Sequence, residues 1–485
     1  MNLQYLNFIE GADTQLSPFT MADNKLEILD NCLVTYRLGA IVKRLGYTAE
    51  STTLQSGKSI LGLYDYWATS STQKMLAVVN NSAGTGLQLK YWDGAAWQSI
   101  TTSTTWDTYE NAKVEMETFL GYCFFVGYDS ADGVFLPKAS LTGTTFSTST
   151  NVTSMPQGKY IVRYRDRLYV GNTYYSATAY PYRVYFSSVP SVGAITWTPA
   201  TDFFDVDFAR DITGMGSNWD RLLLFTKDSC YFYDQSNMKK MFDVGCSNHR
   251  TIKNNGAYLI WANGDGIWVS TGGRPENVAG RCMDFIKYAT PNNFFSEVID
   301  DEYHLYVGTV TVKGTEYINC DVIYNFATGT IRWHEYNDNF TIFAKFDVSG
   351  NKFLWGGTST GLVMGFSKYT DETPVYSDNG SNIQAFFRTK PYDFGLTQDF
   401  KGITKMYAYA DRAQGVQLKA RVYARNSGSV MKPQHLGQLN NFITESSPDI
   451  DSGQLLQIEG VEISTNPYFS LYGFVLDVDQ ESKKR

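Results

Sequence analysis

Two groups of carboxylates are the densest acidic clusters of the sequence and could supply an acid and a base. One comprises Asp205, Asp207 and Asp211, and the other is the run Asp300-Asp301-Glu302. Such pairs cleave glycosidic bonds when one member holds a proton and the other is ionised. However, successive residues of a strand point to opposite faces, and the Asp300-Asp301 pair falls at an apparent turn. We therefore predict that neither group is catalytic.

Histidine and cysteine form no constellation at metal-ligand spacing. The four histidines are far apart in the sequence: His249, His304, His334 and His435. The six cysteines occur singly, at Cys32, Cys123, Cys230, Cys246, Cys282 and Cys320. Single cysteines without a C-x-x-C pair indicate isolated buried thiols in a chain made in a reducing cytosol. Asp449-Ile-Asp451-Ser-Gly453 is a fragment of a calcium loop that lacks the distant bidentate glutamate.

The motifs that mark phosphate cradles, zinc proteases and nucleophile elbows do not occur. The nearest glycine-rich run, Asn263-Gly264-Asp265-Gly266, lies between two strand-like segments and is typical of a tight hairpin. Two partial echoes of the sialidase Asp-box, at 93–97 and 265–268, lack the serine two residues before the aspartate. The sequence therefore predicts no catalytic, cofactor or metal site, and a protein that is not an enzyme.

Aromatic and basic clusters allow two interpretations each. The tyrosines that lie close together are Tyr174, Tyr175, Tyr180, Tyr182 and Tyr185. They could form a surface that stacks on sugars or binds protein, but packing inside a β-rich fold is the favoured interpretation. The basic clusters Lys43-Arg44 and Arg163-Tyr-Arg-Asp-Arg167 are small and diluted by acids. We expect them to be solvated faces or subunit contacts, not a nucleic-acid track.

Composition points to strands and turns. The chain has 485 residues, of which 15 % are aromatic and 41 are glycine, and this composition favours β structure over helix. One short helix is predicted within 277–288. The net charge of −8 argues against a surface that grips DNA phosphates everywhere. The first 15 residues have neither a basic start nor an apolar core, and no run of 18 apolar residues occurs, so we expect no signal peptide and no membrane span.

A short apolar strand recurs along the chain. Its starts are at 74, 121, 167, 221, 257, 303 and 352. The spacing averages about 46 residues, which is close to the period of a four-stranded propeller blade. A second signal is a glycine followed by an aromatic residue, as at Gly94/Trp97, Gly143/Phe146, Gly193/Trp197 and Gly329/Trp333. Here the glycine can make the turn between outer strands, and the aromatic ring can wedge between blades.

These patterns predict an all-β protein: a β-propeller of about seven blades, with six to eight possible, and a C-terminal antiparallel β-sandwich. We place the propeller at 51–370, after an N-terminal segment 1–50 that joins or closes it. A polar, turn-rich linker at 368–381 leads into the sandwich at 382–485, where strand-like runs resume.

The order of these segments resembles the tail nozzle, or tail hub, proteins of short-tailed phages, which stabilise packaged DNA. Residues 31–47, from Asn31 through Gly39 and Lys43-Arg44 to Gly46-Tyr47, are similar to the opening of that family. Farther on, 211–214 with 221–233 and then 245–252 leading into 264–270 are similar to its mid-propeller segments. The similarity runs from about 30 to 370, without a separate long platform insertion.

The resemblance implies a structural virion protein made in the host bacterial cytoplasm. It would form a homohexameric ring below the portal and adaptor, contact tail fibres or spikes, retain the packaged DNA and conduct it during ejection. Six copies at −8 each sum to −48, so an acidic lumen would let DNA slide without specific binding. The alternative is a carbohydrate-binding or glycan-cleaving propeller, which the aromatic content favours. A scaffold propeller of the WD type is disfavoured because its blade signature is missing.

Overall fold

Short aromatic and β-branched segments, separated by turn residues, dictate a fold made of strands. A computed structural model describes residues 2–3, 8, 10–13, 16, 20–34, 39–50, 52–101, 106, 108–147, 152–348, 350–392, 400–411, 416–423, 434–438, 443–446, 455–464 and 469–481. Within these ranges seven antiparallel blades of four strands are present: five are separate sheets, one of which has a fifth short strand, and the other two are parts of a 14-stranded sheet. The predicted all-β propeller with a C-terminal sandwich is confirmed.

Blades one to five are each built from one continuous stretch of chain. Blade one consists of Ile60–Thr69, Thr72–Asn80, Leu87–Trp92 and Trp97–Ile100. Blade two consists of Lys113–Phe119, Tyr122–Asp129, Ala139–Thr142 and Thr145–Ser147, with a short strand Val134–Phe135 beside its second strand. Blade three consists of Gln157–Tyr164, Arg167–Tyr175, Thr178–Phe186 and Phe203–Asp205. Blade four consists of Gly214–Asn218, Arg221–Phe225, Cys230–Tyr233 and Met238–Phe242, and blade five of Lys253–Asn255, Tyr258–Asn263, Gly266–Ser270 and Glu276–Asn277.

Blade six is also built from consecutive strands, whereas blade seven takes one strand from the N-terminal segment. Blade six consists of Phe295–Ile299, Glu302–Val312, Thr315–Asn325 and Ile331–Glu335. Blade seven consists of Phe340–Val348, Asn351–Thr358 and Val363–Phe366, and its outermost strand is Tyr47–Ala49. Because this outermost strand comes from the N-terminal segment, the last blade is closed by the beginning of the chain.

The repeat found in the sequence is the second strand of every blade. The starts at 74, 121 and 167 fall in or directly before the second strands of blades one to three, and the other four behave in the same way. The predicted turn glycines also lie in turns between third and fourth strands. Gly94, Gly143 and Gly329 have φ of 106°, 60° and 66°, where a side chain would strain the backbone.

Many aromatic rings are placed between blades. Trp92 and Trp97 of blade one pack on Trp355 of blade seven, with ring centroids 5.9 and 6.1 Å away. Phe204 of blade three stacks on Tyr233 of blade four at 4.2 Å. Such contacts contribute beyond the apolar area that they bury. The aromatic excess is therefore largely the packing material of the propeller.

Two further sheets form the sandwich. The first contains Cys32–Leu33, Ile41–Lys43, Ser470–Glu481, Phe400–Asp411 and Ile443–Ser446, and Asn2–Leu3 pairs with Ser470–Glu481. The second contains Leu26–Asp30, Ser381–Thr389, Leu455–Ser464, Gln417–Tyr423 and Gln434–Gln438, with the short strand Ser377–Asp378 beside Ser381–Thr389. Their facing sides enclose one apolar core, in which Phe387 and Leu418 of the second sheet meet Met406 and Phe474 of the first.

The second sheet of the sandwich continues into blade six. Leu26–Asp30 runs antiparallel to Ser381–Thr389 and is paired, at Asp30, in parallel with Trp333 of blade six. The N-terminal 50 residues thus supply strands to the propeller, to both sheets of the sandwich and to the boundary between them.

Helical structure is brief. The α-helix Met283–Lys287 lies inside the stretch where one short helix was expected, and 3-10 turns occur at Asp207–Ala209, His249–Thr251, Gly280–Cys282 and Pro291–Asn293. In the part of the chain that the structure describes, no helix has the length and apolar character needed to cross a membrane.

Candidate functional site

Arg44 is the centre of a buried polar cluster that joins the N-terminal segment to blade six and the sandwich. Its Nη1 and Nη2 donate to the two carboxylate oxygens of Asp378 at 2.8 and 2.6 Å. Its Nε donates to Oδ1 of Asn31 at 2.8 Å, and Nη2 also donates to the carbonyl of Glu335 at 2.6 Å. The guanidinium lies 4.8 Å from the ring centre of Tyr336. This bidentate arrangement uses the planar fork that only arginine offers.

Asn31 completes the same cluster, which we call the Arg44 junction (Asn31, Arg44, Glu335, Asp378). Its Nδ2 donates to the carbonyl of Gln384 at 2.9 Å, and its Oδ1 accepts the backbone N–H of Glu335 at 2.9 Å. Asn31 adopts a φ of 51°, a left-handed conformation that asparagine tolerates better than most residues. One amide thus connects the N-terminal segment, blade six and the first long strand of the sandwich.

Lys43 and Arg44 correct an expectation drawn from the sequence. The pair was expected on a solvated face or in a subunit contact, but Lys43 is fully buried and Arg44 is 2 % exposed. Lys43 pairs with Glu462, which lies 419 residues away along the chain, and Asp378 is 334 residues from Arg44. Burial alone would lower the pKa of Arg44, but the Asp378 carboxylate more than compensates and raises it. Without sight of these distant partners, the sequence shows only two adjacent charges.

The other basic cluster does lie at the surface. Arg163 is exposed, and Arg165 pairs with the exposed Asp220 at 2.5 Å. Arg167 is half-buried and donates to the carbonyl of Ser187 at 2.7 Å. For these residues the expectation of a solvated face is confirmed.

A second buried cluster, the blade-six cluster (Glu302, His304, Asp321, Arg332, His334), gathers titratable groups on three neighbouring strands. Arg332 donates from Nη2 to Glu302 at 2.7 Å, and His304 Nδ1 lies 2.7 Å from Oδ2 of Asp321. His334 and Arg332 lie on the outer strand, where His334 is paired with Asp321 of the next strand. The cluster borders a cavity of about 410 Å³ that Arg44 also lines.

The protonation states of this cluster limit its chemistry. Burial by itself raises the pKa of Glu302, but the opposite charge of Arg332 prevails and brings it to about 2. Burial, and then repulsion by Arg332, lower the pKa of His334. A carboxyl group with a pKa near 2 carries no proton at neutral pH and cannot serve there as a general acid. The cluster is arranged as an ion-pair network.

The sequence did not reveal this cluster, although a signal was present. His304 and His334 are 30 positions apart and were treated as isolated residues. In each outer pair, Glu302 with His304 and Arg332 with His334, the two residues are two positions apart and so share one face of a strand. Matching alternations on neighbouring strands would have suggested a polar ladder.

A third polar group lies in the propeller channel. The innermost strands of all seven blades line a cavity of about 380 Å³, which we call the channel cavity. Arg250, from the turn His249–Thr251, reaches across its end and donates to Glu115 at 2.7 Å and to the carbonyls of Leu61 and Val114 at 2.8 and 3.1 Å. The side chain of Asn248 accepts the backbone N–H of Arg250 at 3.1 Å and fixes the turn. Blades one, two and five are thereby tied together.

Glu117 is an acid of the same channel whose charge is not neutralised. It accepts the Tyr64 hydroxyl at 3.5 Å and the backbone N–H of Arg163 at 3.3 Å. Desolvation, only partly offset by these bonds, raises the pKa of Glu117 to about 7. His249, in the wall nearby, has a pKa lowered by burial.

The remaining sequence candidates are dispersed. Asp205 pairs with Arg183 of the neighbouring strand at 2.6 Å, whereas Asp207 and Asp211 are exposed. Asp300 lies in the turn before Glu302 and pairs with Lys368 at 2.9 Å, and Asp301 is exposed. His435 is exposed on a strand of the sandwich.

The cysteines and the fragment that resembles a calcium loop are the remaining candidates for metal ligands. All six cysteines are described by the structure, and each is buried, as the sequence predicted. Residues 449–453 lie outside the described residues. Across the described ranges, no three His, Cys, Asp or Glu side chains are arranged to hold a metal ion.

The tyrosine group packs between blades two and three. Tyr174 stacks on Phe135 of blade two at 5.6 Å, and Tyr185 is buried against Tyr175 and Phe203. Arg183 lies 4.4 Å from the ring centre of Tyr180. Packing, the favoured interpretation, accounts for these contacts.

Comparison with known proteins gives only distant likenesses. No family model and no curated protein matches the chain. Among solved structures, the AfRom2 CNH domain is similar at 7 % identity and a TM-score of 0.42, covering 67 % of this chain and 100 % of that one. BamB from Moraxella catarrhalis is similar at 12 % identity and a TM-score of 0.34, covering 69 % of this chain and 93 % of that one. The propeller assignment rests on the sheet topology of this chain.

Proposed function

We propose that the chain is a structural, non-catalytic subunit of a phage tail nozzle or hub. In this proposal it forms a ring in the virion, below the portal and adaptor, and carries tail fibres or spikes. It is made in the bacterial cytoplasm, retains packaged DNA and conducts it during ejection. A sixfold ring is the expected stoichiometry.

One observation carries the proposal: two of the segments that resemble nozzle proteins contain residues that join separate parts of the fold. Residues 31–47 contain Asn31 and Arg44 of the Arg44 junction, and Tyr47 begins the strand that closes blade seven. Residues 245–252 contain Arg250, which ties blades across the channel. A similarity that includes these joints as well as blade strands supports a common architecture, which is what a ring subunit needs.

The geometry also limits where DNA could run. The channel cavity holds about 380 Å³ and is crossed by the Arg250–Glu115 pair. A DNA duplex, whose major groove alone is about 12 Å wide, is far too large to enter it. In the proposed assembly DNA therefore passes along the lumen between subunits. Six copies at −8 each give the whole ring a charge of −48, which disfavours adhesion of DNA.

The mass of the purified protein tests the ring. At 54.6 kDa per chain, native mass spectrometry should find a closed oligomer, with six copies at six times 54.6, or 327.6 kDa. A monomer at all concentrations would contradict the proposal. An electron-microscopy map of the ring tests whether DNA slides through an acidic lumen. A lumen lined mainly by lysine and arginine would contradict this part of the proposal.

A further inference from the structure

A second cavity opens at the end of the channel where the innermost strands begin. This mouth cavity has about 410 Å³ and is lined by the starts of the innermost strands of blades one, two, six and seven and by the connection around 288–295. Arg250 lines both cavities and thus separates the mouth from the channel cavity below. Its volume falls in the range of about 300–1,000 Å³ that is usual for small-ligand sites.

The charge of the mouth cavity is opposite to that of the whole chain. None of the described residues that line the mouth cavity is aspartate or glutamate, whereas two basic residues, Lys113 and Arg250, line it. Arg250 is neutralised by Glu115, which lines the channel cavity instead. Lys113 Nζ donates to the carbonyl of Asn292 at 3.0 Å. Partial desolvation and then repulsion by Arg250 lower the pKa of Lys113 to about 8, so the charged form of the amine is disfavoured. An anion placed beside this amine would stabilise its charged form.

Uncharged polar groups and the exposed ring of Tyr288 share the lining of the mouth cavity with this amine. Asn111, Asn293 and Thr309 are exposed within the lining, and amide and hydroxyl groups of this kind pair with sugar hydroxyls. Tyr288 is 57 % exposed at the rim and presents a ring on which an apolar face of a sugar can stack. The combination suits a ligand that has many hydroxyl groups and a negative charge.

We propose that the mouth cavity binds an acidic saccharide, with the sugar carboxylate at Lys113 and a sugar face on Tyr288. This site is separate from the ring proposed above, since it lies within one chain. Its described lining contains no pair of carboxylates of the kind that hydrolyses glycosidic bonds, and the proposal concerns binding.

Calorimetric titration of the full chain tests the proposal. The probes are digalacturonate, glucuronate and N-acetylneuraminate, with galactobiose, glucose and N-acetylmannosamine as their respective neutral counterparts. We expect at least one acidic probe to bind, and to bind more tightly than its neutral counterpart. Failure of all three acidic probes to bind at millimolar concentration, or equal binding of acidic and neutral probes, would overturn the proposal.

Variants then locate the site. Lys113→Gln should weaken binding of the acidic probe about tenfold, since one charge-assisted hydrogen bond is lost. Tyr288→Ala should weaken the acidic and neutral probes alike. Lys239→Gln, which removes the same charge from an exposed position on the outer strand of blade four, should change nothing. Unchanged affinity in both Lys113→Gln and Tyr288→Ala would place the ligand elsewhere, and the ring mass would be unaffected in either case.

Discussion

Blades one to five and the region around the Arg44 junction are held together in different ways. Each of the first five blades pairs consecutive strands, so its hydrogen bonds close over short loops. The junction instead connects residues hundreds of positions apart, through Arg44 with Asp378 and Lys43 with Glu462. Local pairing needs only turns and apolar strands, whereas distant segments have many possible partners. Buried ion pairs penalise the wrong partners, because a mismatch leaves a charge unpaired.

The largest expected effect comes from breaking the junction. Arg44→Met leaves the carboxylate of Asp378, which is 1 % exposed, without its partner. Loss of one member of a buried pair costs about 3–5 kcal/mol, and urea denaturation should show a decrease of that size in the free energy of unfolding. Arg165→Met is the matched control, because it breaks an ion pair with Asp220 at the surface of the propeller. Similar decreases in the free energy of unfolding in both variants would show that the buried ion pair of the junction stabilises the protein no more than the surface ion pair does.

Truncation of a buried apolar side chain tests the packing that stabilises blades one to five. Leu223 is fully buried between blades four and five, and Leu223→Ala should cost about 2–4 kcal/mol through lost contacts and a cavity. Ile318, which is 52 % exposed, provides the control, and Ile318→Ala should change the free energy of unfolding by less than about 0.5 kcal/mol. A cost for Leu223→Ala as small as that of the control would contradict close packing between these blades.

The contribution of Glu302, in the blade-six cluster, to the free energy of unfolding should depend on pH. Its folded pKa of about 2 lies below the ordinary 4.5, so its contribution is complete above pH 4.5 and is lost as the pH falls toward 2. Glu302→Gln should therefore be less stable than wild type by about 2–3 kcal/mol at pH 7, and the two proteins should converge near pH 2. Thermal melts across this range measure the difference. A difference that does not depend on pH would exclude the ion pair as its source.

The contribution of Glu117, in the propeller channel, to the free energy of unfolding should change with pH in the opposite direction. Its pKa is raised to about 7, so the folded protein favours the protonated acid and loses stability as the pH rises from 4.5 to 7. Glu117→Gln should thus exceed wild type by about 1–2 kcal/mol above pH 7 and equal it below pH 4.5. The exposed Glu316 serves as the control for charge removal, as Glu316→Gln. Equal pH profiles for Glu117→Gln and wild type would show that the channel does not desolvate this acid.

The sequence revealed the part of the fold that depends on local order. The second strands of the blades repeat at near-regular intervals, and Gly94, Gly143 and Gly329 mark turns that need a positive φ. These features are visible because blade geometry repeats within about 50 residues. The N-terminal segment 1–50 was expected to join or close the propeller, but the strand Tyr47–Ala49 and its partner in blade seven were not identified, because a three-residue strand carries no sign of its partner.

The polar clusters were harder to foresee for the same reason. Arg44 and Lys43 looked like surface charges, since nothing in their neighbourhood of the sequence announces Asp378 or Glu462. His304 and His334 meet only after three strands are aligned in register. Long-range pairing determines both clusters, and one sequence holds little information about it.

The Arg44 junction is expected to hold the strands Leu26–Asp30 and Ser381–Thr389 in place beside blade six, in addition to the strand pairing that links them to the propeller. Hydrogen exchange on wild type and Arg44→Met tests it directly. We predict that backbone amides of Leu26–Asp30 and Ser381–Thr389 lose protection in the variant, while the innermost strands of blades one to five keep theirs. Equal loss of protection in all blades, or unchanged protection of Leu26–Asp30, would contradict the claim.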